Sequence, residues 1–335
     1  MLSFSLDDAD GRWTRVRVES DAPLAATELV RDGRRWVLEV PAPDLARLEY
    51  RFEVSHEYGG PELVCDPANP LRVATAFGDR SVLELPGYEA PWWLDAAGVA
   101  GRRQSLRVPG ETQEAVPVTV WSPRDAGRSA PLPLLVVHDG PEYDRLADVT
   151  RYSAAMVAAG RVPAHRVALL HPVHRDEWYS ASPQYLSTLV GPVLGAVRGR
   201  HATSSVVVMG ASLGGLTSLL AGVHNPELFA GVFSQAGSFF TLQRDPQESG
   251  YRYFPRITGA VAELVDECRT TPSLRVGLTC GALEENAGNN REMAGALRRG
   301  GHRVTHAEVP DLHSYTAWRD SLDPHLTAVL QDCWS

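Results

Sequence analysis

Two hydropathy patterns divide the chain. Over roughly the first 90 residues, stretches such as RWTRVRVES, RWVLEV and LEYRFEV alternate apolar and polar positions, and Asp32-Gly33 and Gly59-Gly60-Pro61 punctuate them. Period-two alternation buries one face of a strand and wets the other, so residues 1–90 are expected to form antiparallel sheets in a small β-sandwich. The stretch LPGYEAPWWLDAAGVAGRR is rich in proline and glycine and is expected to be a linker over 91–110. Trp92 and Trp93 then pack between domains or serve as core aromatics. From 111 to 335 the pattern changes. PVTVW, PLLVVHDG, RVALLHPV, SSVVVMG, AGVFSQAG, LRVGLTCG and RVTHAEV are short apolar runs, with helix-compatible segments such as DVTRYSAAMVAAG and NNREMAGALRRGG between several of them. Continuous apolar strands alternating with helices predict a mostly parallel sheet covered on both faces, an α/β domain.

Composition narrows the function classes. The 32 Lys and Arg against 41 Asp and Glu leave a net charge of −9, with no basic cluster, which argues against nucleic-acid binding. Cys65, Cys268, Cys280 and Cys333 are widely spaced, with no C-x-x-C pair and no Cys/His grouping at zinc-like intervals, so no structural metal is expected. The opening MLSFSLDDADGRW lacks the order of a secretory signal, and no apolar run approaches the ~20 residues a membrane span needs. A cytoplasmic protein with no membrane or nucleic-acid partner is the expectation.

Candidate chemistry gathers where strands end. Four expected strands run into HDGPEY, HPVHRDEW, GASLGG and CGALEEN. The third is a G-x-S-x-G, with Ser212 between Gly210 and Gly214 and an apolar strand before it. In a strand-to-helix elbow the flanking residues must be small because the two backbones nearly touch. The helix N-terminus behind Ser212 offers N–H groups to a developing oxyanion. The competing reading makes Ser212 a plain helix cap. A serine nucleophile needs a base and an orienting acid, and in this architecture the chain order is Ser, acid, His. Glu284 and Glu285 follow the LRVGLTCG run, and His313 lies in a loop after the last one.

With these stretches assembled, the chain resembles the putative-esterase family of α/β-hydrolases and, within it, the enterochelin esterase branch, which carries an E-set-type β-sandwich ahead of the hydrolase domain. YRFEV, CDPANP and RSVLELPGYEAPWW look like that module. HDGPEY, HRDEW, GASLGG, GALEEN and HSYTAWR look like the hydrolase, including the family's His-x4-Trp-Arg from His313 to Trp318-Arg319. The resemblance implies Ser212 as nucleophile, His313 as base and Glu284 as acid, with Glu285 as the competing acid. It implies the Leu213 amide as one oxyanion donor. The second comes from Gly140 or Glu142, with Gly140 favoured, because Pro141 has no N–H. Where the branch usually has Gly-Gly-His-Asp, this chain has Asp311-Leu312-His313-Ser314.

The expected activity is serine carboxylester hydrolysis without metal or organic cofactor. The small-molecule substrate implied by the branch is a ferric tri-catecholate siderophore. His138, His174, Arg175 and Arg319 would offset its negative charge, unless Arg175 pairs structurally with Glu177. The alternatives are a generic carboxylesterase or acyltransferase of the same fold, or a non-catalytic carbohydrate-binding protein.

Overall fold

The structure is a computed structural model and describes residues 1–110, 114–267 and 272–335. The described residues pack as two compact units. One holds Met1–Glu89 with Ala282–Glu284 and Pro310–Thr316, and the other holds Ala90–Gly281, Glu285–Val309 and Ala317–Ser335.

The first unit is built on strands β1 (Leu2–Asp7), β2 (Arg15–Glu19), β3 (Val30–Asp32), β4 (Arg35–Val40), β5 (Arg47–Ser55), β6 (Glu62–Val64), β7 (Arg72–Thr75) and β8 (Gly78–Glu84). One antiparallel sheet runs β1-β4-β3, and a second runs β2-β5-β8-β7 with β6 against β5. Strand β1 is buried at every second residue, as its alternation requires. Phe4 and Trp36 from one sheet share a core with Val16, Leu48, Tyr50 and Phe52 from the other.

The second unit carries an eight-stranded sheet. Its strands are β9 (Gly101–Pro109), β10 (Ala115–Pro123), β11 (Leu132–Val137), β12 (Arg166–Leu170), β13 (Thr203–Ala211), β14 (Gly231–Gln235), β15 (Arg275–Gly281) and β16 (Arg303–Val309). Their order is β16-β15-β14-β13-β11-β12-β10-β9. From β12 to β16 all pairings are parallel, while β10 pairs antiparallel with β12 and with β9. The helices are α1 (Gly140–Leu146), α2 (Val149–Ala158), α3 (Arg175–Tyr179), α4 (Pro183–Thr188), α5 (Leu194–Arg200), α6 (Leu213–His224), α7 (Phe254–Glu267), α8 (Ala287–Arg299), α9 (Tyr315–Asp320) and α10 (Thr327–Trp334). This is the expected mostly parallel α/β sheet, and each of the seven apolar runs becomes a strand in it.

One sequence expectation is corrected. The stretch 91–110 is not a plain linker, because it contains β9, a polar edge strand whose weak apolar pattern hid it. Of the two readings of the tryptophan pair, Trp93 takes that of a core aromatic. Trp93 is fully buried and edge-on to Tyr152, and the Trp92 indole donates to Asp323 at 2.8 Å, both contacts lying within the second unit. Among the described residues Cys65, Cys280 and Cys333 form no disulfide, and Cys268 lies outside the described residues. Among the same residues no helix is long and apolar enough to cross a membrane.

Candidate active site

The buried run of β13 ends at Ala211, and α6 begins at Leu213. Ser212 makes the turn alone, with φ 56° and ψ −125°. A non-glycine residue in that region costs about 1–3 kcal/mol and persists only where its surroundings over-determine it. Here they do. The Ser212 amide donates to Gln235 O at 2.9 Å, and its carbonyl accepts from Gly215, Leu216 and Ser238 at 3.0–3.1 Å. Gly210 is what lets the strand and helix close on one another, since a Cβ there would meet the Gly214 carbonyl oxygen at 2.5 Å. The plain-cap reading fails because the Ser212 side chain makes no capping bond. Its Oγ lies 3.2 Å from Ser238 Oγ instead.

The HDGPEY loop is held with equal economy. Asp139 adopts a left-handed turn with φ 50°, and Gly140 opens α1 behind it. A Cβ on Gly140 would stand 2.4 Å from Leu169 Cα, so only glycine fits there. Asp139 is almost fully buried and accepts from Arg175 through both oxygens, Nε to Oδ1 and Nη2 to Oδ2, each at 2.9 Å. Burial raises the Asp139 pKa, and the Arg175 guanidinium opposes that shift. Arg175 therefore pairs with Asp139. The two loops that looked like separate family stretches are locked by one ion pair.

His138 does not face substrate. It is fully buried, edge-on to Tyr179 at 4.9 Å, with Nδ1 at 2.9 Å from Ser218 Oγ. Burial pushes its pKa down to about 3, so it is a neutral core imidazole. Arg319 on α9 donates to Asp320 at 2.7 Å, and His174 pairs with Glu114. The Arg319 guanidinium and the His174 imidazole thus both face carboxylates of the chain itself.

His313 and Glu284 belong to the first unit. His313 Nδ1 lies 3.1 Å from Glu284 Oε2. A carboxylate only accepts, so Nδ1 carries the hydrogen and Nε2 is left as the basic nitrogen. The Glu284 side chain is 3% exposed and that of His313 is 37% exposed. Glu285, the next residue, is exposed. Between the two adjacent glutamates, Glu284 is the one that meets the imidazole.

Residues unmarked by the sequence complete the elbow. Gln235, at the end of β14, accepts from the Tyr143 hydroxyl at 2.9 Å and donates to Trp318 O at 3.0 Å. Asn290 brackets Gly237, accepting from its amide at 3.2 Å and donating to its carbonyl at 3.0 Å. These bonds hold the 236–238 turn that brings Ser238 to Ser212. The only sequence signal was the small-residue run AGS after an apolar strand. Among the described residues no group of three or more His, Cys, Asp or Glu side chains is placed to hold a metal ion.

Known proteins resemble this chain in sequence and in fold. The family model described as "Putative esterase" matches residues 110–329. The iron(III) enterobactin esterase of Escherichia coli O6:H1 is 25% identical over 303 residues, covering 85% of this chain and 71% of that protein. The enzyme of the same name from Escherichia coli K12 is 27% identical over 232 residues, covering 64% of this chain and 55% of that protein. Among solved structures, ferric enterobactin esterase from Salmonella typhimurium superposes with a TM-score of 0.80 at 19% identity, covering 98% of this chain and 93% of that one. The enterobactin esterase of Shigella flexneri, crystallised in the presence of enterobactin, gives 0.79 at 20% identity, covering 98% and 92%. A ferulic acid esterase gives 0.57 at 15% identity and covers 69% of this chain. An α/β-hydrolase sheet, a strained serine elbow and a family match over most of the chain lead to one conclusion: the chain belongs to the putative esterase family and is a carboxylic ester hydrolase.

Proposed function

We propose that the chain hydrolyses the ester bonds of an iron-loaded tri-catecholate siderophore, with Ser212 as nucleophile, His313 as base and Glu284 as acid. The likeness to relatives named iron(III) enterobactin esterase carries this reading, because it extends over 85% of the chain, well beyond the family-matched stretch. The ferulic acid esterase, by contrast, covers only 69% of the chain. Ser212 Oγ attacks the ester carbonyl while its proton passes to His313 Nε2. The imidazolium, with Glu284 on its other nitrogen, returns that proton to the leaving alkoxide. Water then repeats the sequence on the acyl-enzyme and frees the carboxylic acid. The Leu213 amide, first in α6, and the Gly140 amide, first in α1, are assigned to the oxyanion, where helix N-termini leave donors unused. A cytoplasmic setting fits cysteines such as Cys65 and Cys333 that form no disulfide among the described residues.

The test is chromatographic. Iron-loaded enterobactin incubated with the chain should be opened to linear fragments, and Ser212→Ala should leave it intact, with a loss on the order of 10⁶-fold in turnover. A fluorophosphonate probe should label Ser212 in the wild type and nothing in the variant. Rapid hydrolysis of p-nitrophenyl butyrate without any opening of the ferric lactone would reject the siderophore and keep the esterase.

A further inference from the structure

The stretch that carries His313 packs as part of the N-terminal unit. Contacts on both sides of the imidazole fasten it there. Just before β5, the Ala46 amide donates to the Pro310 carbonyl at 2.6 Å. The first residue of β5, Arg47, donates through Nη2 to Asp311 Oδ2 at 2.5 Å, with side chains only 3% and 12% exposed. The other Asp311 oxygen accepts the Leu312 amide at 2.8 Å. The Leu312 side chain joins the sandwich core with Leu48 and Leu85. On the far side of His313, the Thr316 hydroxyl donates to Glu49, also on β5. Four consecutive residues at the start of β5, Ala46 to Glu49, thus grip the loop from three residues ahead of His313 to three residues behind it.

We propose that Arg47, acting through Asp311, is a positioning residue for His313, so that the N-terminal sandwich fixes the catalytic imidazole against Glu284. The inference rests on the reading of His313 as the base. Asp311 and Leu312 are the two positions at which this chain departs from the Gly-Gly of the branch it resembles. Two glycines offer no side chain to a neighbouring sheet, whereas Asp311 gives Arg47 a carboxylate and Leu312 gives the core an apolar group. A guanidinium suits the task because its planar donors hold direction as well as charge, and Arg47 also lies 5.4 Å above the Tyr88 ring, which fixes its plane. Misplacing a catalytic group by ~1 Å costs about 10²-fold in rate.

The experiment uses the full chain and three variants, Arg47→Met, Arg47→Lys and Asp311→Asn. Arg35→Met serves as control, because its ion pair with Asp7 lies on the same unit with both side chains mostly exposed. Turnover of p-nitrophenyl butyrate is measured per folded molecule, together with the low-field proton resonance of His313 Nδ1–H, assigned by its disappearance in His313→Asn. Arg47→Met should lower kcat by about 10- to 100-fold with KM nearly unchanged, and should broaden or remove the resonance. Arg47→Lys should restore part of both, and Arg35→Met should change neither. A buried pair with a merely structural role would lower Tm and leave kcat and the resonance alone, and that result in Arg47→Met overturns the proposal. Should Arg47→Met fail to fold, Asp311→Asn is judged by the same two readouts. If His313→Asn keeps its turnover, the reading of His313 as base falls. The clamp is then judged by the resonance, whose persistence in Arg47→Met overturns it and whose loss supports it.

Discussion

Gly210→Ala tests the elbow with a single methyl group. The added Cβ would stand 2.5 Å from the Gly214 carbonyl oxygen, 2.6 Å from its carbon and 3.0 Å from its Cα. All three are backbone atoms, so no side chain can swing away to make room. Restoring ordinary contact requires β13 and α6 to part by about 1 Å, in an interior packed as densely as an organic crystal. Overpacking of this kind costs about 1–3 kcal/mol. At about 2–4 °C per kcal/mol for a domain of this size, Tm should fall by about 2–12 °C. Ser212 lies midway between the two glycines, so the same displacement reaches its Oγ, and kcat on p-nitrophenyl butyrate should drop by about 10²-fold. Gly259→Ala supplies the opposite sign. It lies exposed within α7, and a Cβ there meets nothing within 4 Å, so the substitution should stabilise by about 0.5–1 kcal/mol without touching turnover. Differential scanning calorimetry and steady-state kinetics on the two variants read both quantities. A Gly210→Ala protein with wild-type Tm and turnover would refute the close approach of strand and helix, and with it the steric reason for the motif.

Glu284→Gln should lower turnover by about 10⁴-fold, while the exposed Glu285→Gln changes it little; steady-state kinetics giving the reverse ranking would reassign the acid. Arg175→Ala should reduce turnover of small neutral esters and of the ferric lactone alike, because it leaves Asp139 unpaired beside Gly140. It should also lower stability by about 3 kcal/mol, the low end for a broken buried pair, since Arg175 itself is 36% exposed. The deficit should depend on pH. Burial already raises the Asp139 pKa above its ordinary 3.8, and losing Arg175 raises it further. A carboxyl whose folded pKa is raised contributes stability at low pH that is lost as pH climbs through the folded value. The Tm gap between variant and wild type should therefore widen as pH rises above the ordinary carboxylate value of 3.8, and a flat gap would mean that Arg175 does not change the protonation of Asp139 in the folded protein.

The features legible in the sequence are those that short stretches specify by themselves. Val206-Val207-Val208 reads as a buried strand, and Gly210-Ala211-Ser212-Leu213-Gly214 after it reads as a tight strand-to-helix turn, because both depend on neighbours within a few residues. The alternating stretches of the first 90 residues set one wet and one dry face in the same local way. Strand β9 escaped because an edge strand needs few apolar residues. The site residues divide along the same line. That an acid follows β15 was readable. That Glu284 faces His313 while Glu285 faces solvent was not, since adjacent side chains differ only in what distant segments pack against them. His138 looked like an accessible cation at a strand end, but layers contributed by Tyr179 and Ser218 bury it and hold it neutral. Arg175 had Glu177 close by in sequence, yet its guanidinium reaches Asp139, thirty-six positions away, because only a buried carboxylate lacking water gains enough from a two-oxygen pairing to order that long side chain. Sequence determined which chemistry the chain carries and on which turns. Tertiary structure decided which of several equivalent groups is buried, paired or left to act, because burial and pairing are properties of contacts between residues far apart in the chain.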